Sequence, residues 1–138
     1  MIAYVDSSVV LRLVLGQLGA LAEWRSVEEG ITSALTEVEC LRTLDRLRIL
    51  EGIPDEALAE RRESIYELLS TLAVMEIDRT VLGRAAQPLP TTLGTLDAIH
   101  LATAQLWRET TRATLTMATH DATLATAARA LGMPTVGV

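Results

Sequence analysis

The sequence predicts a three-layer α/β/α fold with a mostly parallel central sheet. Short apolar runs rich in Val, Ile and Ala alternate along the chain with segments whose apolar residues recur at helical spacing. This alternation is typical of a parallel sheet covered by helices on both faces. With 138 residues, 49% of them hydrophobic, and no repeat or linker, residues 1–138 are expected to form a single domain.

Five strands are predicted from short apolar runs, at residues 2–5, 31–35, 72–77, 113–118 and 135–138. Six helices are predicted between them, at residues 7–15, 21–27, 36–50, 55–71, 96–107 and 122–131. The predicted helix at 36–50 illustrates the pattern. Its apolar residues Cys40, Leu44 and Leu47 lie on one face, and Gly52 and Pro54 end it. Residues 83–94 contain two prolines and two glycines and are predicted to be a loop.

The composition excludes several classes of function. All 12 basic residues are arginine, so lysine-dependent phosphate loops and Schiff-base chemistry are excluded. The net charge of −6 does not favour non-specific binding to nucleic acid. The single cysteine, Cys40, excludes an internal disulfide and is expected to lie in the core. No apolar run is long enough to span a membrane and no signal peptide is evident, so a cytoplasmic protein is expected.

Four acidic residues lie at or near predicted helix N-termini: Asp6, Glu39, Asp97 and Asp121. Each has a structural explanation, because Asp6 and Asp121 could cap helices, Thr36 with Glu39 forms a capping-box pattern, and Asp97 suits a helix dipole. Brought together, the four carboxylates would repel one another unless a hard divalent cation such as Mg²⁺ or Mn²⁺ lay between them. Spacing along the chain leaves both interpretations open.

The two histidines are weaker candidates. His100 follows Asp97 by three residues and is interpreted as a histidine on a helix face rather than a metal ligand. His120 precedes Asp121, but a His-Asp metal site needs more histidines than this chain contains.

Four stretches occur in one order along the chain: YVDSSVVLRLVL, SALTEVECLRTL, TLDAIHLATA and MATHDATLATAARALG. Together they resemble the PIN-domain family, and most closely the VapC-like toxin ribonucleases of bacterial toxin–antitoxin pairs. The resemblance spans almost the whole chain, and LDAIHLATA and THDATLATAARALG are its most specific parts. It implies helices around a parallel sheet, cleavage of RNA dependent on Mg²⁺ or Mn²⁺, homodimerisation, and inhibition by a cognate antitoxin.

Carried over by position, the family's acidic residues correspond to Asp6, Glu39, Asp97 and Asp121, as both catalytic residues and metal ligands. Glu37 competes for the second position, but the residues that follow Glu39 match better. Ser8 and Thr119 match polar residues that support the site in relatives. Many relatives carry a basic residue shortly before the third acid, where this chain has Gly94 and Thr95.

Other classes fit less well. A signalling receiver domain needs a lysine that this chain lacks, and a His-Asp phosphohydrolase is mainly helical. A PIN nuclease acting on branched DNA usually carries insertions. A PIN-like domain that only binds RNA or a protein, without catalysis, stays open as an alternative.

Two surfaces are predicted for partners. Arg42 and Arg46 share a helix face with Glu39 and are candidates for binding RNA phosphates, against the alternative of an ordinary solvated face. Leu13, Leu21 and Trp24 are candidates for a groove that takes an amphipathic antitoxin segment, against the alternative of plain core or dimer contact.

Overall fold

A computed structural model describes all 138 residues, and its centre is a five-stranded sheet in which every strand pair is parallel. The strands are β1 (Ile2–Val5), β2 (Glu29–Ser33), β3 (Ala73–Met75), β4 (Thr116–Ala118) and β5 (Thr135–Val136). Their order across the sheet is β3-β2-β1-β4-β5, so the N-terminal strand is the central one. Because all strands run the same way, the residues that come directly after them gather at one edge.

Six α-helices connect or follow the strands. They are α1 (Ser7–Val14), α2 (Ala34–Glu51), α3 (Asp55–Ser70), α4 (Arg79–Ala85), α5 (Thr95–Thr111) and α6 (Ala122–Ala130). A short 3₁₀ helix, Ala22–Ser26, lies between α1 and β2. None of the helices is both long and apolar enough to cross a membrane.

Two hydrophobic cores lie on opposite faces of the sheet. Alternate residues of β1 point to different cores, since Ala3 and Val5 join the first and Tyr4 joins the second. The first core contains residues of α1, α2 and α3, and the second contains residues of α5 and α6. The predicted three-layer α/β/α fold with a parallel sheet is therefore confirmed.

The structure differs from the predicted elements at several places. Residues 79–85 form α4, which Asp78 caps by accepting a hydrogen bond from the Val81 amide at 2.9 Å, so the predicted loop is confined to the residues between α4 and α5. β2 begins two residues earlier than predicted, and β3 is shorter. α5 continues to Thr111, where Arg112 ends it in the left-handed conformation with φ 58°.

The start of α2 also corrects a prediction. Ser33, not Thr36, is the N-cap, and its hydroxyl accepts a hydrogen bond from the Leu35 amide at 3.1 Å. The hydroxyls of the buried residues Thr36 and Thr32 lie 2.7 Å apart, so Thr36 is not free to form the expected capping box. Glu39 consequently lies in the second turn of α2 rather than the first.

Candidate active site

The candidate site is the edge of the sheet where β1 and β4 end. Asp6 directly follows β1 and is the N-cap of α1, and Asp121 follows β4 and is the N-cap of α6. The two strand ends are joined by a hydrogen bond from the Asp6 amide to the Ala118 carbonyl at 3.0 Å. Capping and parallel pairing thus bring the two acids to the same edge.

Asp6 is buried and held by polar neighbours in α1 and directly after β4. Its Oδ2 accepts hydrogen bonds from the hydroxyls of Ser8, at 2.6 Å, and Thr119, at 2.9 Å. The Ser8 hydroxyl in turn accepts a hydrogen bond from the His120 amide at 2.9 Å. Ser8 and Thr119, predicted from the resemblance to lie beside the acids, are therefore in contact with Asp6.

Asp121 uses one carboxylate oxygen to cap α6. Its Oδ1 accepts hydrogen bonds from the amides of Thr123, at 2.7 Å, and Leu124, at 2.9 Å. The Asp121 amide donates to the Thr119 hydroxyl at 3.0 Å. Because the same hydroxyl donates to Asp6, Thr119 links the segments that carry the two acids. The capping interpretation of Asp121 is confirmed, and its second oxygen takes no part in the cap.

Asp97 lies half-buried in the first turn of α5. Its pKa is raised above the usual 3.8 by burial, and then by the negative charges of Asp121 and Asp6, with a smaller effect from Glu39. The charge of His100 opposes this shift. The four predicted acids therefore influence one another electrostatically, although they lie far apart in the sequence.

Glu39 reaches the site from α2 through a histidine. Its Oε1 is 2.5 Å from Nε2 of His100, and Oδ1 of Asp6 is 3.6 Å from the same nitrogen. Glu39 is half-buried, whereas the competing Glu37 is exposed on the helix. Of the two glutamates, it is Glu39 that the fold brings to Asp6.

The sequence interpretation missed the environment of His100. The side chain is fully buried, and its Nδ1 is 2.8 Å from the hydroxyl of Tyr4, a residue treated only as part of a strand. Burial lowers the pKa of His100, but the hydrogen bond to Glu39 and the charges of Asp6, Glu39 and Asp97 outweigh it, so the pKa is raised. No pattern along the chain links Tyr4 with His100, which lie 96 positions apart.

Two other side chains with reactive groups, Cys40 and His120, make contacts typical of structural residues. Cys40 is fully buried in the first core, as predicted, and burial followed by the charges of Glu39 and Asp6 raises its pKa to about 12. His120 is partly buried, and its Nδ1 is 2.7 Å from the Gly137 carbonyl.

A cavity of about 280 Å³ adjoins Glu39 and contains the predicted RNA-binding arginines. Arg42 and Arg46 line it, together with apolar side chains of α2 and Leu96 at the start of α5. Arg42 is 73% exposed and pairs with Asp45 at 3.2 Å, as on an ordinary solvated face. The shared helix face is therefore present, with one of its arginines in a surface ion pair.

A second, more open cavity of about 480 Å³ lies between α1, the 3₁₀ helix and α3. Leu13, Val14 and Trp24 line it from one side and Leu68 from the other. Leu21, predicted to contribute to this groove, is instead buried in the first core, with an exposure of only 5%. Two of the three predicted groove residues therefore lie at the surface depression.

The residues at the sheet edge match a hard cation in chemistry. Four carboxylates supply the oxygen ligands that Mg²⁺ and Mn²⁺ prefer. Burial, and then the neighbouring negative charges, raise the pKa of Asp97, and a bound cation would oppose both effects. As the side chains stand, no three acidic, histidine or cysteine residues are grouped to hold one ion. Ligation by several of them would require the carboxylates to move together.

Comparison with known proteins gives a consistent result. The sequence pattern of the PIN domain matches residues 3–130. The chain is 36% identical to Ribonuclease VapC35 of Mycobacterium tuberculosis, over 96% of this chain and 94% of that protein.

Among solved structures, FitAcB from Neisseria gonorrhoeae superposes with a TM-score of 0.72 at 20% identity, covering 98% of this chain and 96% of the other. A toxin–antitoxin complex from Klebsiella pneumoniae has a TM-score of 0.66 at 22% identity, covering 89% of each chain. These two likenesses concern the fold, and the family follows from the sequence matches: the chain belongs to the PIN-domain family.

Proposed function

We propose that this chain is a ribonuclease dependent on Mg²⁺ or Mn²⁺ and that it acts as the toxin of a toxin–antitoxin pair. The observation that carries the proposal is the group of acids around Asp6, in which burial and neighbouring carboxylates raise the pKa of Asp97. The name of the relative VapC35, a ribonuclease, supports the reaction class.

Asp6, Glu39, Asp97 and Asp121 would hold the cation. When bound, Mg²⁺ or Mn²⁺ would make a water molecule a stronger nucleophile and neutralise charge on the phosphate. Neighbouring residues orient these ligands: Ser8 and Thr119 donate hydrogen bonds to Oδ2 of Asp6. Helix capping likewise fixes Asp121 through one oxygen and leaves the other available.

Arg42 and Arg46 would bind RNA phosphates next to the acids. Both line the cavity beside Glu39, and a guanidinium can donate two hydrogen bonds to a phosphate. Bound there, RNA would meet two guanidinium groups in a chain whose net charge of −6 otherwise repels it.

Asp6→Asn tests the reaction. Asparagine keeps an oxygen that can accept the Ser8 and Thr119 hydrogen bonds, but it removes the charge that a hard cation needs. We expect RNA cleavage with Mn²⁺ to fall about 100-fold or more, a loss typical of removing an electrostatic group from an active site. The protein should be purified away from any partner and incubated with assorted RNAs with Mn²⁺ or with a chelator.

Asp78→Asn is the matched control, because Asp78 also caps a helix but lies before α4 and outside the acid group. It should cleave RNA like the wild type. Full activity of Asp6→Asn would show that this carboxylate is only a cap. RNA binding by the wild type without cleavage would favour the non-catalytic alternative.

The cavity between α1 and α3 is proposed as the antitoxin site. Its apolar walls, which include Leu13, Trp24 and Leu68, fit the apolar face of an amphipathic helix. The solved Klebsiella pneumoniae neighbour, described as a toxin–antitoxin complex, supports a partner of this kind. Trp24→Ala should reduce capture of the antitoxin encoded beside this protein, whereas Tyr66→Ala, an exposed change outside the cavity, should not. Unchanged capture by Trp24→Ala would remove this surface from the interface.

Homodimerisation is proposed on the family resemblance alone. Light scattering on the purified protein should give twice the mass of 14.9 kDa. The mass of a single chain at all concentrations tested would contradict it.

A further inference from the structure

A buried chain of hydrogen bonds links the central strand to the acid group. Tyr4 of β1, His100 of α5 and Glu39 of α2 are joined in that order, by contacts of 2.8 Å and 2.5 Å. Tyr4 and His100 are fully buried, and their rings pack edge to face with centroids 5.9 Å apart. Both imidazole nitrogens therefore have a partner, and the ring itself is fully buried.

We propose that Tyr4 and His100 are positioning residues: the Tyr4 hydroxyl orients the imidazole through Nδ1, and His100 Nε2–H holds the Glu39 carboxylate beside Asp6. His100 is not itself a ligand in this arrangement. The role in metal binding and cleavage rests on the proposed function, whereas the hydrogen-bond arrangement does not.

The hydrogen on Nε2 of His100 follows from its contact with Glu39, because a carboxylate only accepts hydrogen bonds and the nitrogen beside it must donate. The Tyr4 hydroxyl, 2.8 Å from Nδ1, can donate to a neutral ring or accept from a protonated one. In a neutral imidazole whose Nδ1 accepts from this hydroxyl, the ring hydrogen lies on Nε2. Since an imidazolium also carries a hydrogen on Nε2, donation to Glu39 occurs in either state of the ring.

The second bond, from His100 to Glu39, restrains a flexible side chain that lies near another negative charge. Glutamate has a long side chain with several rotamers, and Glu39 would be repelled by Asp6 if both were ionised. The Nε2 atom of His100 is close to both carboxylates, at 2.5 Å from Glu39 Oε1 and 3.6 Å from Asp6 Oδ1. One donor thus restrains Glu39 and offsets part of the repulsion, which leaves its second oxygen for a cation.

The same geometry argues against direct ligation by His100. A ligating imidazole needs a nitrogen lone pair that faces the cation. Here Nδ1 faces Tyr4, and Nε2 carries the hydrogen given to Glu39. Residues that orient metal ligands in this way typically change metal affinity by about 10–100-fold when they are removed.

Nitrogen NMR of the metal-free protein tests the hydrogen-bond arrangement without any reaction. We expect Nε2 of His100 to be protonated, and Glu39→Gln to shift the Nε2 resonance more than the Nδ1 resonance. Tyr4→Phe, which keeps the ring and removes only the hydroxyl, should shift Nδ1. An unprotonated Nε2, or no response to Glu39→Gln, would overturn the proposal.

Mn²⁺ titration tests the positioning role. In His100→Gln the side-chain amide extends about as far as Nε2, so Mn²⁺ affinity should stay within about 3-fold of the wild type. His100→Asn is too short to reach Glu39 and should lose about 10–100-fold, with a parallel loss in kcat. Leu101→Ala, a fully buried neighbour on α5, controls for lost stability and should keep Mn²⁺ affinity. Equal affinities in His100→Gln and His100→Asn, or an equal loss in Leu101→Ala, would overturn the proposal.

A double-mutant cycle separates this role from general destabilisation. In a Glu39→Gln background, His100→Asn should cause little further loss of Mn²⁺ affinity, because its target carboxylate is already gone. Additive losses would contradict positioning through Glu39. If His100→Asn does not fold, Tyr4→Phe replaces it in the cycle.

The ribonuclease proposal and the positioning proposal would be contradicted by different results. A wild-type protein that binds Mn²⁺ but cuts no RNA would contradict the ribonuclease proposal, while the affinities of the His100 variants would still test positioning. A wild type that cuts RNA, with unchanged Mn²⁺ affinity and kcat in His100→Asn, would contradict only positioning. If the wild type bound no Mn²⁺, the NMR result would decide the hydrogen-bond arrangement.

Discussion

The Asp97 carboxyl lies half-buried in the first turn of α5, close to other acids, and its raised pKa has a consequence for stability. Because the pKa in the folded protein exceeds the ordinary 3.8, the folded protein binds more protons than the unfolded chain between the two values. The free energy of unfolding therefore falls as the pH rises through that window.

In the metal-free protein, Asp97→Asn should remove this fall in the free energy of unfolding with rising pH. We expect its Tm in a chelator to exceed that of the wild type by a few degrees near neutral pH, and the difference to shrink as the pH approaches 3.8. Thermal melts across this pH range measure the effect. With Mn²⁺, the difference in Tm between Asp97→Asn and the wild type should become smaller or change sign, since only the wild type keeps all four proposed carboxylate ligands.

Asp55→Asn is the control for Asp97→Asn, because Asp55 also lies in the first turn of a helix but is exposed. It should slightly lower the Tm, since it removes a favourable interaction with the helix dipole. A wild type more stable than Asp97→Asn near neutral pH in the chelator would contradict the assigned repulsion.

At the scale of elements, the exposed face of α2 carries the proposed contact with RNA. Arg42→Ala combined with Arg46→Ala should weaken RNA binding across sequences and reduce the slope of log affinity against log salt by about 1–2. The ion pair of Arg42 with Asp45 is exposed, so its loss should cost little stability. Binding titrations at several salt concentrations measure the slope.

Arg25→Ala combined with Arg129→Ala makes the matched control for this charge change. Both arginines are exposed, on the 3₁₀ helix and in the last turn of α6, and neither lines the cavity beside Glu39. The control should keep the wild-type slope. Equal slopes in all three proteins would mean that the RNA path lies elsewhere and that α2 has an ordinary solvated face.

Two glycines show how differently α4 and the C-terminal segment tolerate a side chain. Gly83 lies within α4, and a Cβ there would meet no atom within 4 Å, so Gly83→Ala should raise the free energy of unfolding by about 0.5–1 kcal/mol. Gly137 has φ +101°, and a Cβ there would lie 2.5 Å from the Thr119 carbonyl oxygen. Gly137→Ala should therefore lower the free energy of unfolding by about 1–3 kcal/mol. Urea unfolding of both variants tests the contrast, and stabilisation by Gly137→Ala would contradict it.

On the scale of the whole molecule, the single-domain prediction can be tested with the two tryptophans. Trp24 packs against the first core and Trp107 against the second, on opposite faces of the sheet. A variant that keeps only one tryptophan reports on one face. If residues 1–138 are one cooperative domain, fluorescence and circular dichroism should give the same urea midpoint within each of Trp24→Phe and Trp107→Phe. Different midpoints within either variant would indicate that the two faces unfold separately.

Local interactions account for the features that could be predicted from the sequence. The alternation of strands and helices, and with it the layered α/β fold, follows from apolar periodicity within short segments. The caps at Asp6 and Asp121 were also predictable, because an N-cap bonds to amides only two or three residues away. Burial of Cys40 followed from its position on the apolar face of α2. The identity of the four acids as one set came from the family resemblance rather than from spacing.

Contacts between distant segments account for the features that became visible only in the folded protein. The Tyr4–His100 bond joins residues 96 positions apart and the His100–Glu39 bond joins residues 61 positions apart, so no local pattern encodes either. Ser33 rather than Thr36 caps α2 because the Thr36 hydroxyl pairs with Thr32 in the interior. Leu21 lies in the first core rather than in the groove. In each case the partner that satisfies a buried polar group, or covers an apolar one, is chosen by the packing of whole elements, which periodicity along the chain does not specify.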